Sequence, residues 1–161
     1  MSNKHLSNYI KRPEITRSNA LLIITLVSIF CSAIFLRILP AKYGFYLNEF
    51  DPYYNYRAVE FIIKNLEEYG INGIVNYINW QDIRTWYPEG RPVLNTSQVG
   101  LHLTGATTYL IFTGIFGKII SIYNFLVLFP VVIGALTTLV IFLLVRNIAG
   151  NTAGIFSALM I

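Results

Sequence analysis

Two carboxylates, Glu49 and Asp51, stand two residues apart in the run Asn48-Glu49-Phe50-Asp51-Pro52-Tyr53-Tyr54-Asn55-Tyr56-Arg57, just after the first long apolar segment of the chain. A carboxylate exposed beside a membrane surface, with Phe50, Tyr53, Tyr54 and Tyr56 around it, is a hard oxygen donor. It can hold a divalent cation, which in turn can bind an anionic lipid-linked molecule. Asp51 is the principal candidate for that chemistry. The same Asp51-Pro52 pair also suits a plain helix start, with Asp as N-cap and Pro at the first helical position.

The elements that must position these residues are membrane helices. Of 161 residues, 55% are hydrophobic and only 12% charged, and the mean hydropathy is +0.55, which excludes an ordinary soluble domain with a solvated surface. The single cysteine, Cys31, lies inside an apolar run and excludes an intrachain disulfide. Charge is segregated: Lys4, Lys11, Arg12 and Arg17 precede the first apolar run, whereas seven of the eight acids fall between Glu49 and Glu89. Basic charge in that place flanks a membrane, not a nucleic acid.

Taken in order, residues 1–17 read as a basic cytoplasmic tail and 18–39 as a first transmembrane span, long enough for a hydrocarbon core of ~30 Å. The uncharged run is longer than the core of a usual signal peptide, so the span is expected to remain uncleaved. Residues 40–122 form a large first external loop. Within it the spacing of Ala58, Phe61, Ile62, Leu66 and Tyr69 predicts an amphipathic helix over 52–69 with Arg57, Glu60, Lys64, Glu67 and Glu68 opposite, ended by Gly70 and lying along the outer membrane surface. Residues 71–100 hold too many Gly and Pro for one long element, apart from a short helical turn at 71–77. Residues 101–120 are weakly apolar and are expected on the outer interface, because a crossing there would put Arg146 outside. A second span follows at 123–145, a cytoplasmic turn at 146–151, and the start of a third span at 152–161. His102, alone on an apolar stretch, is expected to be structural.

Two motifs carry a resemblance. Glu49-Phe50-Asp51-Pro52-Tyr53-Tyr54-Asn55-Tyr56-Arg57 and Trp80-Gln81-Asp82-Ile83-Arg84-Thr85-Trp86-Tyr87-Pro88-Glu89-Gly90-Arg91 resemble, in order and spacing, the first external loop of oligosaccharyltransferase catalytic subunits of archaeal or eukaryotic type. The resemblance covers the chain as an N-terminal piece and implies an all-α integral membrane fold, a multi-span GT-C-type glycosyltransferase. It implies transfer of a preassembled glycan from a polyprenyl (dolichyl) phosphate or diphosphate carrier to Asn in Asn-x-Ser/Thr, with Mn²⁺ or Mg²⁺ as cofactor. Its partners would be the lipid-linked oligosaccharide, an acceptor polypeptide and membrane lipid, with no nucleic acid and with accessory subunits left open. The membrane would be an archaeal cell membrane or the endoplasmic reticulum, with the active loop external or lumenal.

Residue by residue, the resemblance implies that Asp51 helps ligate the cation and accepts a hydrogen bond from the acceptor amide. Glu49 could support Asp51, since residues two apart on an extended segment share a face. Arg57 could contact the diphosphate or snorkel to the interface. The Trp-Tyr-Pro-x-Gly-Arg stretch reads as architectural, its aromatics with Arg84 and Arg91 locking the loop. The family's second acidic motif, later glutamate and sequon-recognition domain would lie beyond Ile161, so the piece alone is expected to be inactive. Asn95 begins the only sequon, Asn95-Thr96-Ser97, in a stretch between Pro92 and Gly100 that reads as flexible enough to accept a glycan. Two other readings keep the same membrane setting: a metal-independent polyprenyl-phosphate-sugar glycosyltransferase with Asp51 as general base, and a noncatalytic membrane scaffold.

Overall fold

The computed structural model describes residues 16–47 and 49–161. The expected tail over 1–17 therefore lies outside the described residues except for Thr16 and Arg17, and so does Asn48. The chain runs through α1 (Arg17–Ile38), a 3₁₀ turn (Leu39–Tyr43), α2 (Phe50–Tyr69), α3 (Asn72–Ile78), β1 (Gln81–Asp82), β2 (Arg91–Pro92), α4 (Val93–Thr96), α5 (Val99–Phe116) and α6 (Ile122–Leu159). It is an all-α membrane architecture. Three helical stretches, Arg17–Tyr43, α5 and α6, are long and apolar enough to cross a bilayer.

Two compact units divide the chain, one comprising the described residues up to Leu36 with Gly134–Ile161, the other Arg37–Ile133. In the first, α6 is broken at Gly150, whose φ of 85° and ψ of 177° are not helical and suit glycine alone. The following turn folds back so closely that a Cβ on Gly154 would stand 3.0 Å from both the ring and the carbonyl oxygen of Phe142. Phe142, Ile29 and Ala158 form the small core of this unit.

The second unit holds both motifs. Its core is Ala58, Val59, Ile62 and Ile63 of α2, Tyr77 of α3, Val93 of α4, and Ala106 and Tyr109 of α5. The helix expected over 52–69 is present, starts two residues earlier, and ends at Gly70, whose N–H reaches the Leu66 carbonyl. Its covered face differs from the expected one. Val59 and Ile63 are buried while Tyr69 is exposed, because α3 and α5 pack on two sides of α2 and widen the apolar stripe. Phe61 leaves that core edge to stack on Trp80, ring centroids 4.3 Å apart and nearly coplanar. α5 stays apolar despite its threonines because Thr104, Thr108 and Thr113 return their hydroxyls to carbonyls one turn back.

The stretch 71–100, expected to be irregular, contains a small antiparallel ladder pairing Gln81 with Pro92 and Asp82 with Arg91. What pins it is one buried carboxylate. Asp82, 1% exposed, accepts from Arg57 Nη2 at 2.6 Å, from the Arg84 N–H at 3.2 Å and from Thr85 Oγ1 at 3.0 Å. A buried charge is tolerated only when paired and hydrogen-bonded in this way. Asp82→Ala in the full-length protein should therefore lower thermal stability in detergent by about 2–3 kcal/mol, less than a fully buried pair because Arg57 can turn to water. Asp82→Asn, which keeps acceptors for the backbone N–H and Thr85, should cost less. An unchanged melting midpoint for Asp82→Ala would contradict this account of the loop.

Candidate functional site

Asp51 lies in the first turn of α2 with its side chain exposed. It is not the N-cap. Phe50 is already helical, Glu49 occupies the cap position, and no side chain caps the helix. Glu49 is held at φ 83°, a left-handed conformation that a residue with a Cβ rarely adopts and that costs on the order of 1–3 kcal/mol. The extended segment assumed for Glu49 and Asp51 is therefore absent: the backbone turns into the helix between them, and shared orientation no longer follows from their spacing. Among the described residues neither carboxylate has a hydrogen-bond or ion-pair partner in the protein.

The other polar and aromatic residues of the first motif are largely committed. Tyr54 is buried, its hydroxyl 2.5 Å from Ser97 Oγ and its ring 4.3 Å beneath the Arg91 guanidinium. Asn55 Oδ1 accepts from His102 Nε2 at 2.8 Å, and His102 Nδ1 lies 2.6 Å from the Tyr77 hydroxyl. Because an amide oxygen only accepts, Nε2 carries the proton, Nδ1 accepts, and Tyr77 donates. Burial, with a smaller contribution from Tyr54, pushes the Tyr77 phenol above its ordinary range and keeps it a donor. His102 is thus structural, as expected. Tyr56 packs edge-to-face on Tyr123, whose hydroxyl accepts the Leu47 N–H at 3.1 Å and ties down the approach to the motif. Phe50, 94% exposed, stands outward next to Asp51, whereas the half-exposed Tyr53 turns its hydroxyl to Tyr123.

Arg57, a candidate for substrate contact, is occupied by Asp82. Its guanidinium also lies 6.0 Å from the Trp80 ring. In the second motif Arg91 reaches Thr96 through both Oγ1, at 3.0 Å, and the carbonyl oxygen, and its guanidinium faces Trp86 at 5.4 Å. Arg84 contributes its backbone N–H. The tight loop between the strands needs Gly90, at φ 82°, where a Cβ would press on Ile83 Cα at 3.3 Å. Trp86 sits at φ 55°, so each motif holds one residue in a sparsely populated conformation.

The sequon lies in a folded segment. Val93–Thr96 is a turn of helix, Val93 is fully buried, Thr96 Oγ1 donates to the Pro92 carbonyl and Ser97 is held against Tyr54. Asn95 is exposed, but the hydroxyl two residues on is taken. The residue that sequence reading passed over is Asp82. Its signal was the Asp-x-x-Thr spacing, which places a carboxylate at the start of a turn where it meets the N–H two residues on and the hydroxyl three residues on.

The described residues contain no group of three His, Cys, Asp or Glu side chains able to hold a metal. Asp51 fits one position of an oxygen-ligated cation and no more, so a complete coordination shell needs donors from outside these residues.

Residues 20–161 match the family model described as oligosaccharyl transferase STT3, N-terminal. The dolichyl-diphosphooligosaccharide–protein glycosyltransferase subunit STT3 of Saccharomyces cerevisiae is 32% identical over 137 residues, 84% of this chain and 18% of that protein. Subunit STT3A of Oryza sativa is 33% identical over 117 residues, 73% of this chain and 14% of the relative. The chain thus spans less than a fifth of the length of these relatives. The chain belongs to the STT3 family of oligosaccharyl transferases, whose N-terminal part it matches from Ala20 to Ile161.

Proposed function

We propose that this chain supplies the first external loop of an enzyme that transfers a glycan from a dolichyl-type diphosphate carrier to Asn in Asn-x-Ser/Thr, with Asp51 as its contribution to the reacting site. One observation carries the assignment. Asn55 and Arg57 of the first motif are spent on holding the loop, whereas Asp51 faces solvent with no protein partner among the described residues. A solvated carboxylate left open by an otherwise engaged motif is available to a ligand. The acceptor amide is a poor nucleophile because its nitrogen lone pair is delocalised into the carbonyl. A carboxylate that accepts its N–H holds the nitrogen and favours localisation of that pair.

Mn²⁺ or Mg²⁺ is part of this reading, with Asp51 as one ligand and the others from the rest of the protein. When bound, the cation supplies positive charge to the departing diphosphate. Asp51 binds and orients at that place. Glu49 is close in sequence but has no assigned contact, and Arg57 serves the loop through Asp82.

The membrane placement is also proposed: the loop faces the outside or lumen of an archaeal cell membrane or the endoplasmic reticulum, and α5 lies with α2 without crossing. In its support, α5 follows α2 in the same direction, with Asn55 meeting His102, Val59 meeting Gly105 and Glu67 pairing with Lys118 at 2.7 Å. α2 also carries Glu60, Lys64 and Glu68, so its companion shares a depth at which charges are solvated.

Asp51→Asn in the full-length protein should abolish transfer to a sequon peptide at saturating Mn²⁺ while leaving expression intact and the melting midpoint nearly so, since Asp51 is exposed and makes no side-chain cap, and the change loses only a first-turn charge. Near-normal transfer would remove Asp51 from the site. For topology, single cysteines replacing Ser121 or Asn147 in a full-length protein freed of other cysteines, Cys31→Ala included, should react with an impermeant reagent from outside at 121 only. Labelling at 147 but not 121 would place α5 across the membrane.

A further inference from the structure

Asp51, Tyr54 and Ala58 fall at i, i+3 and i+7 of α2 and so share one stripe of the helix. Tyr54 and Ala58 are buried, and Asp51 emerges one turn ahead of them. The head of the helix has no side-chain cap and begins from a strained Glu49, so its own hydrogen bonding does little to hold it. Tyr54 is the clamped residue of the stripe nearest Asp51. Its ring lies beneath the Arg91 guanidinium at 4.3 Å and edge-to-face with His102 at 5.6 Å, and its hydroxyl meets Ser97. Arg91 is itself immobilised by two bonds to Thr96 and by Trp86.

The Arg57–Asp82 pair acts at a different place. Six residues beyond Asp51 means about 9 Å along the axis and about a third of a turn around it, too far to set the direction of one side chain at the helix head. We infer that Arg91 is a positioning residue for Asp51, acting through Tyr54, and that Asp82 and Arg57 secure the loop without sharing that role. A planar guanidinium suits the task because it stacks on an aromatic face while its edge makes fixed hydrogen bonds, which an ammonium cannot do.

The inference rests on Asp51 belonging to the reacting site, and its test separates the two. In the full-length protein, with rates taken per folded molecule, Arg91→Lys should lower kcat for sequon-peptide glycosylation by about 10–100-fold with KM little changed, the scale expected for a group displaced by about 1 Å. Tyr54→Phe, which keeps the ring, should retain most of the rate, and Tyr54→Ala should match Arg91→Lys. Asp82→Asn, which keeps the backbone ladder to Arg91 and the acceptors for Arg84 and Thr85, should lower the melting midpoint and reduce kcat per folded molecule less than about twofold. In an Asp51→Glu background, whose carboxylate is already displaced by a methylene, Arg91→Lys should add little further loss. Wild-type kcat in Arg91→Lys and Tyr54→Ala would overturn the inference, as would losses that multiply in full with Asp51→Glu. Undiminished transfer by Asp51→Asn would instead overturn the reading on which it rests.

Discussion

The buried Asp82 carboxylate is the interaction on which the loop depends. Besides it, the short ladder and the eight-residue loop between its strands are tied internally by Gln81, whose side chain donates to the Glu89 and Gly90 carbonyls. With Asp82 in place, Arg57 is drawn out of the charged face of α2, the Arg84 N–H and Thr85 hydroxyl are satisfied, and Trp80 is set where it stacks on Phe61. A buried ion pair contributes little net stability compared with a hydrophobic replacement, but losing one partner is costly, so such a pair specifies an arrangement more than it strengthens one. What it specifies here is which part of the first motif is covered by the second.

That covering explains how a motif of nine residues divides its work. Tyr54, Asn55 and Arg57 make buried or half-buried contacts to Ser97 and Arg91, to His102 and to Asp82, each on a different element. Asp51 remains at the open end of the same helix, preceded by a strained backbone and flanked by the outward Phe50. Glu49 and Trp86 hold positive φ, so each motif carries one strained turn. On the proposed reading, Tyr54 and Arg91 hold the helix behind the Asp51 carboxylate, and its open side meets the ligand.

Much of this was legible in the residues. The apolar runs, the charge asymmetry and the 3.6-residue period of α2 depend on local composition, and they predicted helices where helices stand. The two motifs identified the family. Less legible was everything that depends on contact between segments distant in sequence. Arg57 reads as a solvated or lipid-facing cation until Asp82, 25 residues on, is placed against it. Val59 and Ile63 read as outside the apolar stripe until α3 and α5 arrive to cover them. Asn95 reads as a flexible acceptor because Pro92 and Gly100 bracket it, yet Arg91 and Tyr54 fold that bracket into a helical turn. Asp51-Pro52 reads as a cap, but the strained Glu49 begins the helix earlier. At Arg57, Val59, Ile63 and Asn95 contacts between distant segments overrode a correct local preference.

The central claim is that Asp51 meets the reacting groups while Arg57 stays with Asp82. A structure of the full-length protein bound to Mn²⁺ or Mg²⁺ and a non-hydrolysable lipid-linked donor tests both halves at once. The account predicts an Asp51 carboxylate oxygen about 2.1 Å from the cation, with the Arg57–Asp82 pair intact. An Asp51 side chain remote from cation and acceptor, or an Arg57 that has left Asp82 to bind the diphosphate, would contradict it.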